Sequence, residues 1–245
     1  MLSSVWQSPL LLPFPWLIHT TSTRIFGSLH YPNSDEIEDP FVENRRTFLK
    51  NIGVIPTSVT FSGNVHKRKI AFLDTAAPPY IPKTDGLITN VPARFLGVKT
   101  ADCLPIFIID PLRRTVGLFH AGWKGIAARM PYAAVKAFRL QKSNPADLIV
   151  AIGPSIGPCC YNIYGERVQD LHMAGAFEED FLFRDKQIFV NLRSVAIRQL
   201  CKAGVLPGKI DVSAPCTSCH PDLFFSYHRT HHAEESLLSV IGIHP

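Results

Sequence analysis

The sequence predicts an α+β fold with mixed, largely antiparallel β-sheets flanked by helices, in a single domain over residues 1–245. Three observations carry that expectation. Two capped helical segments stand far apart in the chain, and five short β-type runs fall outside them. The best-defined pair of runs is joined by a connection too short for a parallel crossover. Helices and hairpins alternate without a βαβ rhythm, and no repeat, low-complexity tract or linker divides the chain.

The elements follow in order. Asp39-Pro40 opens a helix over FVENRRTFLKNIG: Asp39 can cap it and Pro40 suits its first turn. Phe41, Phe48, Leu49 and Ile52 share one face, and Gly53 ends it. FLGV at 95–98 reads as a strand. PIFIID at 105–110 and TVGLFH at 115–120 read as a hairpin closed around Pro111. GIAARMPYAAVKAF is helical and begins or kinks at Pro131. DLIVAIG at 147–153 is a further strand, Asn191 caps a helix that stops at Gly204, and DLFFSY at 222–227 closes the set as a strand.

Composition narrows the function. Hydrophobic residues make up 46% and charged residues 18%, the balance of a compact enzyme rather than a disordered chain. The formal charge of +5 is scattered, and its densest run, Lys67-Arg68-Lys69, reads as a solvated loop, so nucleic-acid binding is not expected. A mildly basic surface suits an anionic small-molecule substrate. The start, MLSSVWQSPLLLPFPWLIHT, lacks a charged leader region before Arg24, and Pro9, Pro13 and Pro15 break its apolar stretch. No apolar run is long enough for a membrane span. The expectation is a cytoplasmic protein, monomeric by default, with six reduced cysteines.

One compact motif competes for attention. Pro215-Cys216-Thr217-Ser218-Cys219-His220 contains C-x-x-C-H, which attaches haem in c-type cytochromes, and P-C-x-x-C, which closes the zinc site of nucleobase deaminases. The deaminase needs an H-x-E upstream, whereas the only H-x-E here, His232-Ala233-Glu234, lies downstream. A redox C-x-x-C opens a helix after a strand, while this one precedes Pro221. The pair reads as two loop cysteines, with no metal expected on Cys219 or His220.

Lys99-Thr100-Ala101-Asp102-Cys103-Leu104-Pro105 and Phe119-His120-Ala121-Gly122-Trp123-Lys124-Gly125 say more. In the hairpin, Cys103 precedes one strand and His120 ends its partner, so both side chains emerge at one sheet end. That arrangement suits a shared metal ion or a thiolate and its base. Gly122 and Gly125 let the backbone turn into a helix whose N-terminal amides can hold an anion.

These stretches resemble the signature of the YfiH-like laccase-domain family, whose members are also called multicopper polyphenol oxidases or purine nucleoside phosphorylases. Further ordered matches extend the resemblance over nearly the whole chain: Thr21-Ser22-Thr23-Arg24, Glu43-Asn44-Arg45-Arg46, Asn64-Val65-His66, Asp85-Gly86-Leu87-Ile88-Thr89, Gly153-Pro154-Ser155-Ile156-Gly157-Pro158, Cys216-Thr217 and Phe224-Phe225-Ser226-Tyr227. The resemblance implies one Zn2+ held by His66, Cys103 and His120, with copper the less favoured occupant. Three protein ligands leave a fourth position open, as catalytic zinc requires.

The implied activities are phosphorolysis of purine nucleosides, including methylthioadenosine, and deamination of adenosine. Cys103, His120 and Asp102 are the expected catalytic residues, Asp102 as base or as orienter of its neighbour. Arg24 or Arg45 is expected to hold phosphate, and the Thr217 hydroxyl to reach substrate. This chain departs from the family pattern at Lys67 in place of a glycine, Ile25-Phe26 in place of an early glycine pair, Lys124 in place of arginine, and Tyr227-His228-Arg229-Thr230-His231-His232 without a final arginine. Two other enzymes fit the same residues: a copper-dependent polyphenol oxidase, although the ten histidines form no H-x-H pair, and a Cys103–His120 hydrolase that edits peptidoglycan precursors.

Overall fold

The structure, a computed structural model, describes residues 4–32 and 39–244. Its strands are β1 (Val5–Trp6), β2 (Leu17–Ser22), β3 (Val59–Ser62), β4 (Ile70–Leu73) and β5 (Tyr80–Ile81). There follow β6 (Gly86–Thr89), β7 (Phe95–Thr100), β8 (Leu104–Asp110), β9 (Thr115–Ala121) and β10 (Ile149–Ile152). Last come β11 (Asn162–Ile163), β12 (Phe181–Arg184), β13 (Gln187–Val190), β14 (Ile210–Val212) and β15 (Leu237–Ile243). Among the described residues the α-helices are α1 (Val42–Asn51), α2 (Trp123–Ala127), α3 (Met130–Leu140), α4 (Gly165–Met173), α5 (Leu192–Lys202) and α6 (Tyr227–Thr230).

Two six-stranded sheets carry the fold, ordered β1-β2-β15-β7-β3-β5 and β14-β10-β8-β9-β6-β4, beside a small sheet ordered β11-β13-β12. Pairing is mostly antiparallel, with parallel contacts at β3–β5, β3–β7, β4–β6 and β10–β14. The α+β expectation, mixed and largely antiparallel, therefore holds.

Strand periodicity explains the layering. Along β8, Phe107 and Ile109 point into a cluster with Leu96, Val98 and Ile241 of the other large sheet, so the two sheets pack face to face. Ile106 and Ile108 point the opposite way, onto Val135 and Phe138 of α3 and Val195 of α5. The outer face of the first sheet is covered by Phe48 and Leu49 of α1. Because both faces of β8 and β9 are buried, these strands read as continuous apolar runs rather than alternating ones.

Most predicted elements are present. Asn191 caps α5 by accepting from the Ser194 amide, and Gly204 terminates it with φ +107°. The segment with Pro131 divides at Arg129, which lies in the left-handed region at φ 59°, and α3 begins beside the proline. Two details need correction. Asp39 is not the cap of α1; it stands before Phe41, whose amide it holds, and pairs with Arg45 from outside the helix. DLFFSY is no strand: the chain turns after Pro221, Leu223 and Phe224 amides bond to the His220 carbonyl, and Ser226 caps α6. Phe224 and Phe225 are buried with Leu237, which accounts for their apolar character without a ladder.

Candidate functional site

The site grows out of strand register. In the hairpin Leu104 pairs with Ala121 and Pro105 with His120, so Cys103 arrives beside the last residues of β9. On the other side β6 pairs with β9 antiparallel, Gly86 opposite Phe119, which sets Asp85 next to His120. The loop ahead of β4 then folds over this corner, because β4 pairs with β6 at Ile70 and Gly86.

Asp85 has no exposed surface and organises that corner. Its Oδ1 accepts from His120 Nδ1 at 2.9 Å and from the His66 amide at 2.7 Å, and its Oδ2 accepts from the Lys67 amide at 2.8 Å. Its own carbonyl accepts from the His120 amide at 2.7 Å. These bonds hold His66 in the left-handed region at φ 58°, a conformation the backbone would not choose unaided.

The result is a cluster in which one donor atom each from His66, Cys103 and His120 lies within 4.8 Å of the others. The His66 and His120 rings meet edge to face at 4.7 Å. Gly122 completes the corner: a Cβ there would come 2.7 Å from Cys103 Sγ and 3.2 Å from His66 Nδ1. Burial works to raise the Cys103 thiol, but the charge of His120 and hydrogen bonds from both histidines hold it at about 6. Burial equally disfavours a charged His120, yet the Cys103 thiolate and the Asp85 hydrogen bond lift it to about 9. Each partner supports the other's charge. Asp85 is held below the ordinary carboxylate range: burial opposes its charge, and hydrogen bonds from His120, Lys67 and His66 outweigh it.

A thiolate and two imidazoles within that distance suit a tetrahedral metal ion, and Asp85 on His120 Nδ1 leaves Nε2 to face Cys103. The cluster borders a cavity of about 560 Å³, a size that takes a small organic molecule. Its rim carries cations in Lys99, Lys124 and Arg167 and aromatic faces in Trp123, Tyr161 and Tyr227. Burial, then the neighbouring charge of Arg45, pulls the Lys99 ammonium down to about 8.

The other expected site residues sit differently. Asp102 lines the cavity, at φ 91°, with both oxygens engaged: Oδ1 accepts from Thr217 Oγ1 at 2.6 Å and Oδ2 from the His228 amide at 2.7 Å. Thr217 is fully buried, its proton directed to Asp102. Arg45 is buried behind the wall, ion-paired to Asp39 and donating to the His30 carbonyl. Arg24 is exposed, donates to the Pro221 carbonyl at 2.7 Å and lies over the Phe225 ring. Neither guanidinium is among the cavity-lining groups. The helix expected to hold an anion after Gly122 is only the five-residue α2, ended before Arg129, so little dipole accumulates there.

Sequence reasoning passed over Asp85, Lys99, Tyr161 and Arg167 as site residues. An acidic residue directly ahead of Gly86-Leu87-Ile88-Thr89, a short strand buried along its whole length, is the available signal for Asp85.

Fold and site together define a laccase-like α+β class with a cysteine–histidine centre. The chain belongs to the family described as multi-copper polyphenol oxidoreductase laccase, whose profile matches residues 20–244. It is 37% identical over 166 residues to a protein of Geobacillus stearothermophilus named purine nucleoside phosphorylase YlmD, a match covering 66% of this chain and 61% of that one. It is 35% identical over 230 residues to human purine nucleoside phosphorylase LACC1, covering 86% of this chain and 52% of that protein. The chain thus spans between half and two thirds of these curated relatives. The crystal structure of YlmD from Geobacillus stearothermophilus superposes with a TM-score of 0.88 at 28% identity, covering 100% of this chain and 98% of that one.

Proposed function

We propose that this chain is a zinc-dependent purine nucleoside phosphorylase, a single domain over residues 1–245, that also deaminates adenosine and cleaves methylthioadenosine. The observation that carries this reading is the His66–Cys103–His120 cluster on a cavity rimmed by cations and aromatic rings. The names of its relatives support the same substrate class.

His66, Cys103 and His120 would hold the ion, which when bound supplies Lewis acidity at an open coordination position. Asp85 fixes the His120 tautomer and keeps the His66 loop closed over the site. Trp123, Tyr161 and Tyr227 offer faces for a purine, and Lys99, Lys124 and Arg167 offer positive charge for phosphate. Asp102 shapes the wall beside Cys103, and its bonds with Thr217, His228 and the Ile156 amide hold its strained backbone in place. Arg45 and Arg24 act on substrate indirectly in this reading, by holding His30 and the Pro221 turn.

Among the described residues no helix is long and apolar enough to cross a membrane, and we infer a cytoplasmic monomer acting on nucleosides rather than nucleic acid. Copper can occupy the same soft donor set, since it outcompetes zinc at most such sites, and would favour phenol oxidation.

One observation favours a second reading. The Cys103–His120–Asp85 chain, with a lowered thiol and a raised imidazole, also has the layout of a cysteine hydrolase acting on peptidoglycan precursors. Incubating the purified protein with adenosine, with and without phosphate, separates the readings by chromatography. Adenine with ribose-1-phosphate supports phosphorolysis, and inosine supports deamination. No turnover of adenosine, together with hydrolysis of a peptidoglycan precursor that persists after chelation, points to the hydrolase.

A further inference from the structure

A second cysteine cluster lies outside the cavity. Cys159, Cys160, Cys216 and Cys219 each present one sulfur, and the four sulfurs lie within 4.8 Å of one another. The topology brings them together. β10 and β14 run parallel, Ile152 beside Val212, so the loops that follow them leave the same sheet end side by side. A bridge between Ser155 and Cys216 continues the pairing past the strands, and the Thr217 amide donates to the Ser155 carbonyl at 3.1 Å. The adjacent Cys159 and Cys160 on one loop then face the C-x-x-C of the other.

We infer that these four thiolates form a separate, closed tetrahedral metal site whose occupant is a single zinc ion with a structural role. Geometry favours one ion. Zinc–sulfur bonds of about 2.3 Å set sulfurs roughly 3.8 Å apart around a tetrahedron. Cys219 Sγ stands 3.4 Å from Cys159 Sγ and 3.3 Å from Cys160 Sγ, close to that spacing before any ion draws the set into order. An iron–sulfur cluster would need the thiolates spread around several irons, wider than these stand.

The surroundings suit thiolates. The Gly157 amide donates to Cys216 Sγ at 3.1 Å, and the backbone of Gly157, Cys219 and Ser218 holds the Cys216 thiol below its ordinary value against the effect of burial. Four thiolates around a divalent ion leave a net charge of −2, and cations stand near to offset it. Buried Arg193 donates to the Ser155, Ala214 and Pro215 carbonyls that frame the site, and Arg184 donates to the Cys159 carbonyl. Four protein ligands leave no open position, so the site ties two loops rather than performing chemistry.

That tie reaches the cavity. Thr217, which follows Cys216, holds Asp102, and the Asp102 carbonyl accepts from the Ile156 amide on the other tied loop. The same C-x-x-C that suggests haem, deaminase or redox chemistry by itself therefore acquires two distant partners.

The test counts metal in protein purified under reducing conditions and supplied with zinc. Three chains are compared: wild type, the double variant Cys159→Ser/Cys219→Ser at exposed positions, and Cys103→Ser, which removes the cavity thiolate instead. The double variant is expected to carry one zinc fewer per chain than wild type, while Cys103→Ser keeps that zinc. Loaded with Co2+, Cys103→Ser is expected to show sulfur-to-cobalt charge-transfer absorption at four-thiolate strength. Equal zinc in wild type and double variant overturns the proposal. So does a Cys103→Ser chain without thiolate–cobalt absorption, or peptide mapping that finds two of the four cysteines joined as a disulfide. The cobalt spectrum of Cys103→Ser decides the matter even if the double variant fails to fold, and it does so independently of any activity toward nucleosides.

Discussion

A carboxylate with no exposed surface must direct both oxygens to donors, and Asp85 directs them to the His66 and Lys67 amides and to His120 Nδ1. Replacing it with Asn turns an NH2 toward one of those donors. Asp85→Asn is therefore expected to cost about 1–3 kcal/mol of stability, read by urea unfolding. It should also weaken metal affinity roughly 10–100-fold, read by competition with a chelator. Gly122→Ala is a cleaner probe, since its φ of −78° suits any residue. The added methyl would fall 2.7 Å from Cys103 Sγ and displace it, so metal content and kcat/KM should drop together while the melting temperature changes little. The hairpin places Cys103 and His120 at one sheet end, and the family resemblance is what makes them, with His66, an expected metal site. Asp85 was not legible in the same way, because its role depends on β6 lying beside β9, a pairing of segments about thirty positions apart that no local pattern encodes.

At the scale of elements, α5 is joined to the short turn before β12 through Asp180, which accepts from Arg198 Nη1 at 2.6 Å, from the Phe177 amide at 2.8 Å and from Ser194. Burial pushes the Asp180 carboxyl up, and the hydrogen bonds from Arg198, Ser194 and Phe177 outweigh it, so its folded pKa lies below the ordinary value. A depressed folded pKa stabilises the fold fully above the unfolded value of about 3.9 and loses that stabilisation as pH falls through the folded value. Asp180→Asn should accordingly be less stable than wild type near neutrality, with the gap closing in acid. Urea unfolding of both chains from pH 7 to pH 3 measures it. The elements most legible in the sequence were those with local punctuation: Asn191 and Gly204 around α5, and the turn at Pro111 between β8 and β9. DLFFSY misled because burial of Phe224 and Phe225 beneath a loop imitates a strand's apolar run. β15, at the centre of the first sheet, passed unnoticed because its seven residues are buried on both faces and show no alternation.

For the whole molecule, the joint between the two large sheets sets where the cavity opens. Phe107 is fully buried in that joint, with the Trp6 ring 5.8 Å and the His19 ring 6.4 Å away. Phe107→Ala should cost about 3–5 kcal/mol, read by denaturant unfolding, because the void falls between two rigid sheets that cannot both relax into it. His66, Cys103 and His120 are proposed to hold a zinc ion that works on purine nucleosides. The most direct measurement follows adenosine and phosphate over time with wild type and His120→Ala, each assayed for bound zinc. Wild type should hold zinc and release adenine with ribose-1-phosphate, and His120→Ala should lose both the cavity zinc and the turnover. Full turnover by His120→Ala, or by protein stripped of metal, would show that the cavity works without zinc.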